Sequence, residues 1–146
     1  DFIIELVDFF RTYADAFHHG KEEDILFKRL KEKDMSHEDW KIMEGLIEDH
    51  KKGRGLVSKL EDAGNELYEG NQGSMKDIYT CFMDIVELYR RHIKTEDEGF
   101  LHPAMDYFSQ EEINEILEEM HEFDRNFTNM RYKSVVEDLN RYCGDD

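Results

Sequence analysis

The chain is poor in residues that break helices or cross-link loops. One proline, Pro103, stands in 146 residues, and the two cysteines, Cys81 and Cys143, form no Cys-x-x-Cys pair. Two cysteines make no disulfide framework, and the expectation is a reduced, intracellular chain. A domain of this length buries roughly two-thirds of its unfolded surface and needs no staple. Bases are scarce as well: 19 against 36 acids, a formal net charge of −17. Phosphate neutralisation needs a basic footprint, so nucleic acid is excluded as a partner, and anionic membrane surfaces are disfavoured. No apolar run reaches the length of a membrane span. The opening DFIIELVDFF is broken by Glu5 and Asp8 and lacks the basic start of a secretory leader. The expectation is a cytoplasmic protein with neither membrane nor nucleic-acid partner. The first residue is Asp rather than Met, which is read as a sign of a segment upstream. Strand-like alternation, a Gly-rich phosphate loop and a Ser-His-Asp or Cys-His arrangement are all lacking.

Apolar residues recur instead at helical spacing. The first stretch runs from about Asp1 to Lys33 and carries Ile3, Leu6, Val7, Phe10, Tyr13, Ala14, Phe17, Ile25 and Leu26. Ser36 reads as a helix cap with Asp39 three residues on. A second helix follows to about Glu69, with Met43, Leu46, Ile47, Val57, Leu60 and Leu67 along one side. GNQGS, residues 70–74, is a clear break. The third helix runs from about Met75 to Glu98, with Gly99 and Pro103 at a frayed end. Ser109 and Glu112 make a capping box for the fourth, which carries Ile113, Ile116, Leu117, Met120, Phe123, Phe127, Val135 and Leu139. Four long helices with short connections predict an all-α, up-and-down four-helix bundle, one domain over residues 1–146.

Some residues on these faces are polar. In the third helix Ile78, Phe82, Ile85, Tyr89, His92 and Glu96 follow a bundle seam of alternating fours and threes, and its last two members are a histidine and a glutamate one turn apart. Burying both without partners would cost several kcal/mol, and a metal ion would satisfy them. The competing reading is a seam that surfaces near the helix end. In the second helix His50 sits in mid-stripe, with Gly53 and Arg54 following. Alone, His50 is more simply a hydrogen-bonded core histidine. In the first helix HHGKEEDILF places two histidines and two glutamates in six residues. At about 100° per residue, His18 and Glu22 share a sector with Val7, Ala14 and Ile25, while His19 and Glu23 turn toward the polar side. Matching HGKEEDILF to HIKTEDEGF by letter favours His19 and Glu23 instead. The facing argument makes His18 and Glu22 the expected inward pair and leaves His19 as a further candidate. Three helices thus aim histidines at one core and two add a glutamate. Imidazole and carboxylate donors without thiolate suit Fe, Mn or Zn rather than Cu(I). Two glutamates able to bridge suggest two ions.

HHGKEEDILF, EDHKKGRGLV around His50 and RHIKTEDEGFLHPAM around His92 resemble, in order and on successive helices, the hemerythrin-like or HHE cation-binding family. The resemblance spans most of the chain to about Met105. It implies a four-helix bundle holding two non-haem iron ions joined through oxygen, with Mn or Zn as other metals to test. By resemblance His18 and Glu22 match the first His-x-x-x-Glu, His50 the isolated histidine, and His92 and Glu96 the second His-x-x-x-Glu. Some members place a ligand directly after the first histidine, the position of His19. The implied ligand is O2 or another small diatomic molecule or peroxide, and a homodimer is among the implied assemblies. The family's usual histidine-bearing helix before HHxxEE is missing from this chain. His121 is the candidate substitute, although its stripe places it at the surface; the alternatives are that the fourth helix or a second chain fills the place of that helix. His37 reads as solvent-facing at a helix start, His102 as a loop residue beside Pro103, and Phe9, Phe10, Phe17 and Phe27 as core and pocket lining. Three functions follow: an O2-binding or -sensing protein or one that handles iron and reactive oxygen or nitrogen species; a peroxidase, catalase-like or NO-reducing di-iron enzyme; and a metal-free helical interaction module.

Overall fold

The structure is a computed structural model that describes the backbone of residues 2–143 and the side chains of residues 2–131 and Lys133. Val135 and Leu139 of the predicted fourth stripe lie outside the described side chains. The described residues are helical throughout apart from short connections. A long first rod spans residues 2–30: α1 (Phe2–Phe9), a π-helical stretch Phe10–His19, a π turn Glu22–Leu26 and α2 (Phe27–Leu30). Next come α3 (His37–Tyr68) and α4 (Ser74–Thr95), then a π turn Glu96–Phe100 that leads straight into α5 (Leu101–Met105), and finally α6 (Gln110–Cys143).

The starts of α3 and α6 follow the predicted caps. Ser36 Oγ accepts from the Asp39 N–H at 3.1 Å. At Ser109 the Glu112 N–H donates to Ser109 Oγ (3.3 Å), and Glu112 Oε2 accepts from the Ser109 N–H (2.9 Å). One boundary is corrected. The third helix does not fray at Gly99 but winds wider there and continues to Met105. Pro103 is tolerated because the backbone leaves helical geometry at Phe100 (φ −124°, ψ −52°), which puts Pro103 in the first turn of α5, where its missing N–H has no required intrahelical partner.

Side-chain pairs give the topology. The rod is antiparallel to α3, through Arg11–Glu61 at one end and Glu23–His50 toward the other. It is parallel to α4, through Phe2–Phe82, Phe10–Tyr89 and His18–Glu96. It is antiparallel to α6, through Lys33–Glu112, Arg29–Glu115, Lys21–Asp124 and Asp8–Arg131. The four helices are therefore up, down, up and down.

The apolar core comes in two parts. One gathers Phe27, Leu30, Met43, Leu46, Phe100, Ala104 and Ile116. The other gathers Val7, Val57, Leu60, Ala63, Ile78 and Ile85. Along each helix the polar candidates fall between the two: His19 and Glu22 before Ile25 on the rod, His50 between Leu46 and Val57, and His92 and Glu96 between Ile85 and Phe100. The fold is two apolar plugs with one polar layer sealed between them. The lower plug should be energetically separate from that layer. Leu60 is fully buried, so Leu60→Ala is expected to lower unfolding stability by about 2–5 kcal/mol, read as a lower denaturant midpoint, while metal content stays unchanged.

Candidate metal centre

Burial decides which polar residues belong to the layer. His19 (3% exposed), Glu22 (6%), His50 (1%), His92 (3%) and Glu96 (4%) are all buried. The seam of the third helix therefore does not surface at His92 and Glu96. His18 differs, with its side chain half exposed. The structure corrects the facing expectation here: His19, not His18, is the inward histidine of HHGKEEDILF. Its inward glutamate is nonetheless Glu22, while Glu23 is only partly buried. The cause is the winding of the rod. A π-helix closes i→i+5 hydrogen bonds and packs more residues into each turn than an α-helix. The 100° step fails from Phe10 onward, and His19 comes round to the face that His18 would hold in an α-helix. The letter match of His19 with His92 predicts this histidine correctly and the glutamate wrongly. Both π turns begin at a buried glutamate, Glu22 and Glu96.

The imidazoles crowd together. The His19 and His50 rings stack at 3.8 Å and 11°, and His50 meets His92 edge-on at 4.9 Å. Burial, and then mutual repulsion among the histidines, pushes His50 down to about 3 and His19 down to about 4, so both are neutral at pH 7. Burial likewise lowers His92. Glu22 goes the other way. Burial, a hydrogen bond with Glu96 and the neighbouring carboxylates push it up to about 10. Its Oε2 lies 3.4 Å from His50 Nε2, and His92 Nε2 lies 3.5 Å from Glu96 Oε2. His18 Nε2 approaches Glu22 Oε1 (3.5 Å) and Glu96 Oε1 (3.8 Å).

Several of these buried atoms have no hydrogen-bond partner: His19 Nδ1, Glu22 Oε2, His50 Nε2, and both ring nitrogens of His92. Each would cost roughly 1–3 kcal/mol if left so. They also converge. One donor atom each from His19, Glu22, His50 and His92 lies within 4.8 Å of the others, and so does one each from His18, Glu22 and Glu96. Glu22 belongs to both groups. This residue set fits a metal: nitrogen and oxygen donors, imidazoles held neutral at His19 and His50, and lone pairs that nothing else satisfies.

The remaining candidates sit elsewhere. His37, His102 and His121 are exposed, and His121 lies on α6 among Arg29, Glu118, Glu119 and Arg125, away from the layer. His102 is helical, within α5, rather than in a loop. Gly53 is buried but not tightly pressed. A Cβ there would meet Tyr89 Oη at 3.6 Å, an ordinary contact, whereas close approaches occur at Gly64, where Ile3 would lie 2.8 Å away, and at Gly20, where Phe123 would lie 2.9 Å away. Sequence reasoning left Asp15 and Arg54 without a role. Asp15 precedes His19 by four residues, and Arg54 follows His50 by four. That same-face spacing was the signal available for them.

No curated protein and no solved structure matches the chain. Among family models, the hemerythrin HHE cation binding domain matches residues 3–104, from the first turn of the rod to the end of the third helix, and includes every residue of the buried polar layer. With that match over more than half its length, on a four-helix bundle with a buried histidine–glutamate layer, the chain belongs to the hemerythrin HHE cation-binding family.

Proposed function

We propose that this domain holds a dinuclear non-haem iron centre and binds a small molecule of the dioxygen class there. The observation that carries the reading is the pair of donor groups that share Glu22. His19, His50 and His92 would hold one ion with Glu22. His18 and Glu96 would hold the second with the same glutamate. Iron bound there supplies a redox-active Lewis acid able to ligate O2 or a related molecule. Phe27 and Phe100, fully buried and in edge-on contact at 5.8 Å, close the layer on one side and exclude water. His18, half exposed, leaves the second position open to exchange with solvent. Manganese or zinc would find the same donors acceptable.

One feature favours an enzyme as the second reading. A cavity of about 330 Å³ opens beside His19, lined by Asp15, Arg54, Tyr89, Ser58, Phe10 and Val57. Its walls are mainly apolar, but Asp15, Arg54 and Tyr89 bring polar groups beside His19 that would serve a peroxide- or NO-processing site. The test is metal content with an absorption spectrum on protein purified anaerobically from iron-replete cells. The expected result is between one and two irons per chain, with visible bands that appear on exposure to O2. Protein that is folded, iron-free and unable to take up Fe(II) would overturn the proposal. Rapid peroxide turnover without reversible O2 bands would select the second reading.

A further inference from the structure

Arg54 lies on α3, four residues after His50 and outside the donor groups. Its guanidinium faces the rod. Nη1 donates to Asp15 Oδ1 at 2.6 Å and to Glu23 Oε1 at 3.1 Å, and Nη2 donates to Glu23 Oε1 at 3.2 Å. Each of these carboxylates faces a buried histidine. His50 Nδ1 donates to the same Glu23 Oε1 at 2.7 Å. Asp15 Oδ1 lies 3.5 Å from His19 Nδ1, just beyond a good hydrogen bond. One cation thus anchors Glu23, which engages His50 Nδ1, and Asp15, which lies near the unpartnered Nδ1 of the stacked His19 ring.

We propose that Arg54 is a positioning residue that orients His50 for metal binding by holding Glu23 in place, with Asp15 as the second anchor of its guanidinium. The proposal rests on the metal centre inferred above. A carboxylate on Nδ1 keeps the proton on that nitrogen and leaves the Nε2 lone pair free, which fixes both tautomer and ring orientation. For His50 this is the arrangement seen: Nδ1 is engaged by Glu23, and Nε2 is unpartnered and points to Glu22. Arginine suits the task because its planar fork serves two carboxylates at once, whereas a lysine is a point charge. With Arg54 removed, Asp15 and Glu23 are left as partly buried like charges without their shared cation, and their separation from the imidazoles is no longer set.

The experiment compares wild type with Arg54→Met, Arg54→Lys and Glu23→Gln in two measurements. In the metal-free protein, imidazole ¹⁵N NMR reports the His50 tautomer. The wild type is expected to show His50 protonated on Nδ1, and Arg54→Met to show a mixture of tautomers. In the second measurement, Co(II) titration followed by its visible absorption is expected to show Arg54→Met binding about 10- to 100-fold more weakly, with Arg54→Lys recovering part of the loss. Helical circular dichroism checks that each variant folds. If Arg54→Met is unfolded, Arg54→Lys and Glu23→Gln decide the matter by the same two readouts. Unchanged tautomers and unchanged Co(II) affinity in the folded variants would overturn the proposal. A wild type that binds no Co(II) would count against the metal centre instead, and the metal-free NMR comparison would still judge Arg54.

Discussion

Replacing Glu22 with leucine is expected to abolish metal retention and, at the same time, to stabilise the metal-free protein. The two effects share one cause. Among the described residues Glu22 is the one shared by both donor groups, so its loss would take a proposed ligand from each. Without metal, its buried Oε2 lacks a partner, and burial beside Glu96 disfavours its charge. Leucine of similar volume removes this unpartnered buried carboxyl group, and a buried polar group without a partner costs roughly 1–3 kcal/mol. The denaturant midpoint of metal-free Glu22→Leu should therefore exceed that of metal-free wild type, and its metal content after dialysis against a weak chelator should fall to background. A variant that is less stable when metal-free and keeps its metal would refute the assignment. Opposite signs on stability and binding mark a residue kept for its ligand rather than for the fold.

The second large effect is on pH dependence, and the signs follow from which state holds more protons. Glu22 is protonated in the metal-free fold up to about 10 but ionises near 4.5 when unfolded. Through that window the folded state binds one proton more, so stability falls as pH rises, by up to about 1.4 kcal/mol per unit. His50 and His19 are neutral in the fold down to about 3 and about 4, yet protonate near 6.5 when unfolded. Below 6.5 the unfolded state binds more protons, and stability falls as pH falls. These groups together give a maximum near pH 6.5. Other acids contribute their own slopes, so the clean measurement is the difference between wild type and Glu22→Gln across pH 5–9. The falling limb above 6.5 should be absent from the variant. Metal binding has a matching signature. His19 and His50 are already neutral at pH 7, so uptake should release about one proton, from Glu22, read by titration calorimetry in buffers of different ionisation heat. Release of three protons, or none, would contradict these assignments.

Much of the bundle was readable from letters. The caps at Ser36 and Ser109, the break at residues 70–74 and the alternating seam of α4 all rest on local chemistry that the tertiary structure leaves intact. Apolar letters alone would not have chosen the inward face of α4, since Met75, Tyr79, Met83 and Val86 are exposed. The regular spacing of Ile78, Ile85, His92 and Glu96 did. The choice between His18 and His19 was not readable, because it depends on helical pitch. Nothing in FRTYADAFHH announces i→i+5 bonding, and one extra residue wound into the rod is enough to exchange the two. The spacing of Arg54 from His50 was readable but its partners were not, because Asp15 and Glu23 lie on another helix.

The wide winding of the rod also bears on how this chain tolerates insertions and deletions. A π stretch is an α-helix that has absorbed surplus length without breaking. Phe10–His19 lies between Val7, which anchors the lower plug, and Glu22, which belongs to the polar layer. Deleting one residue there would let the segment tighten to an α-helix, and the ends would then turn relative to each other. With the layer and the upper plug held in place, the turn would fall on Phe2–Phe9, which would carry Val7 off its partners. The rod thus serves as a coupling of adjustable length, and the surplus residue keeps both ends in register.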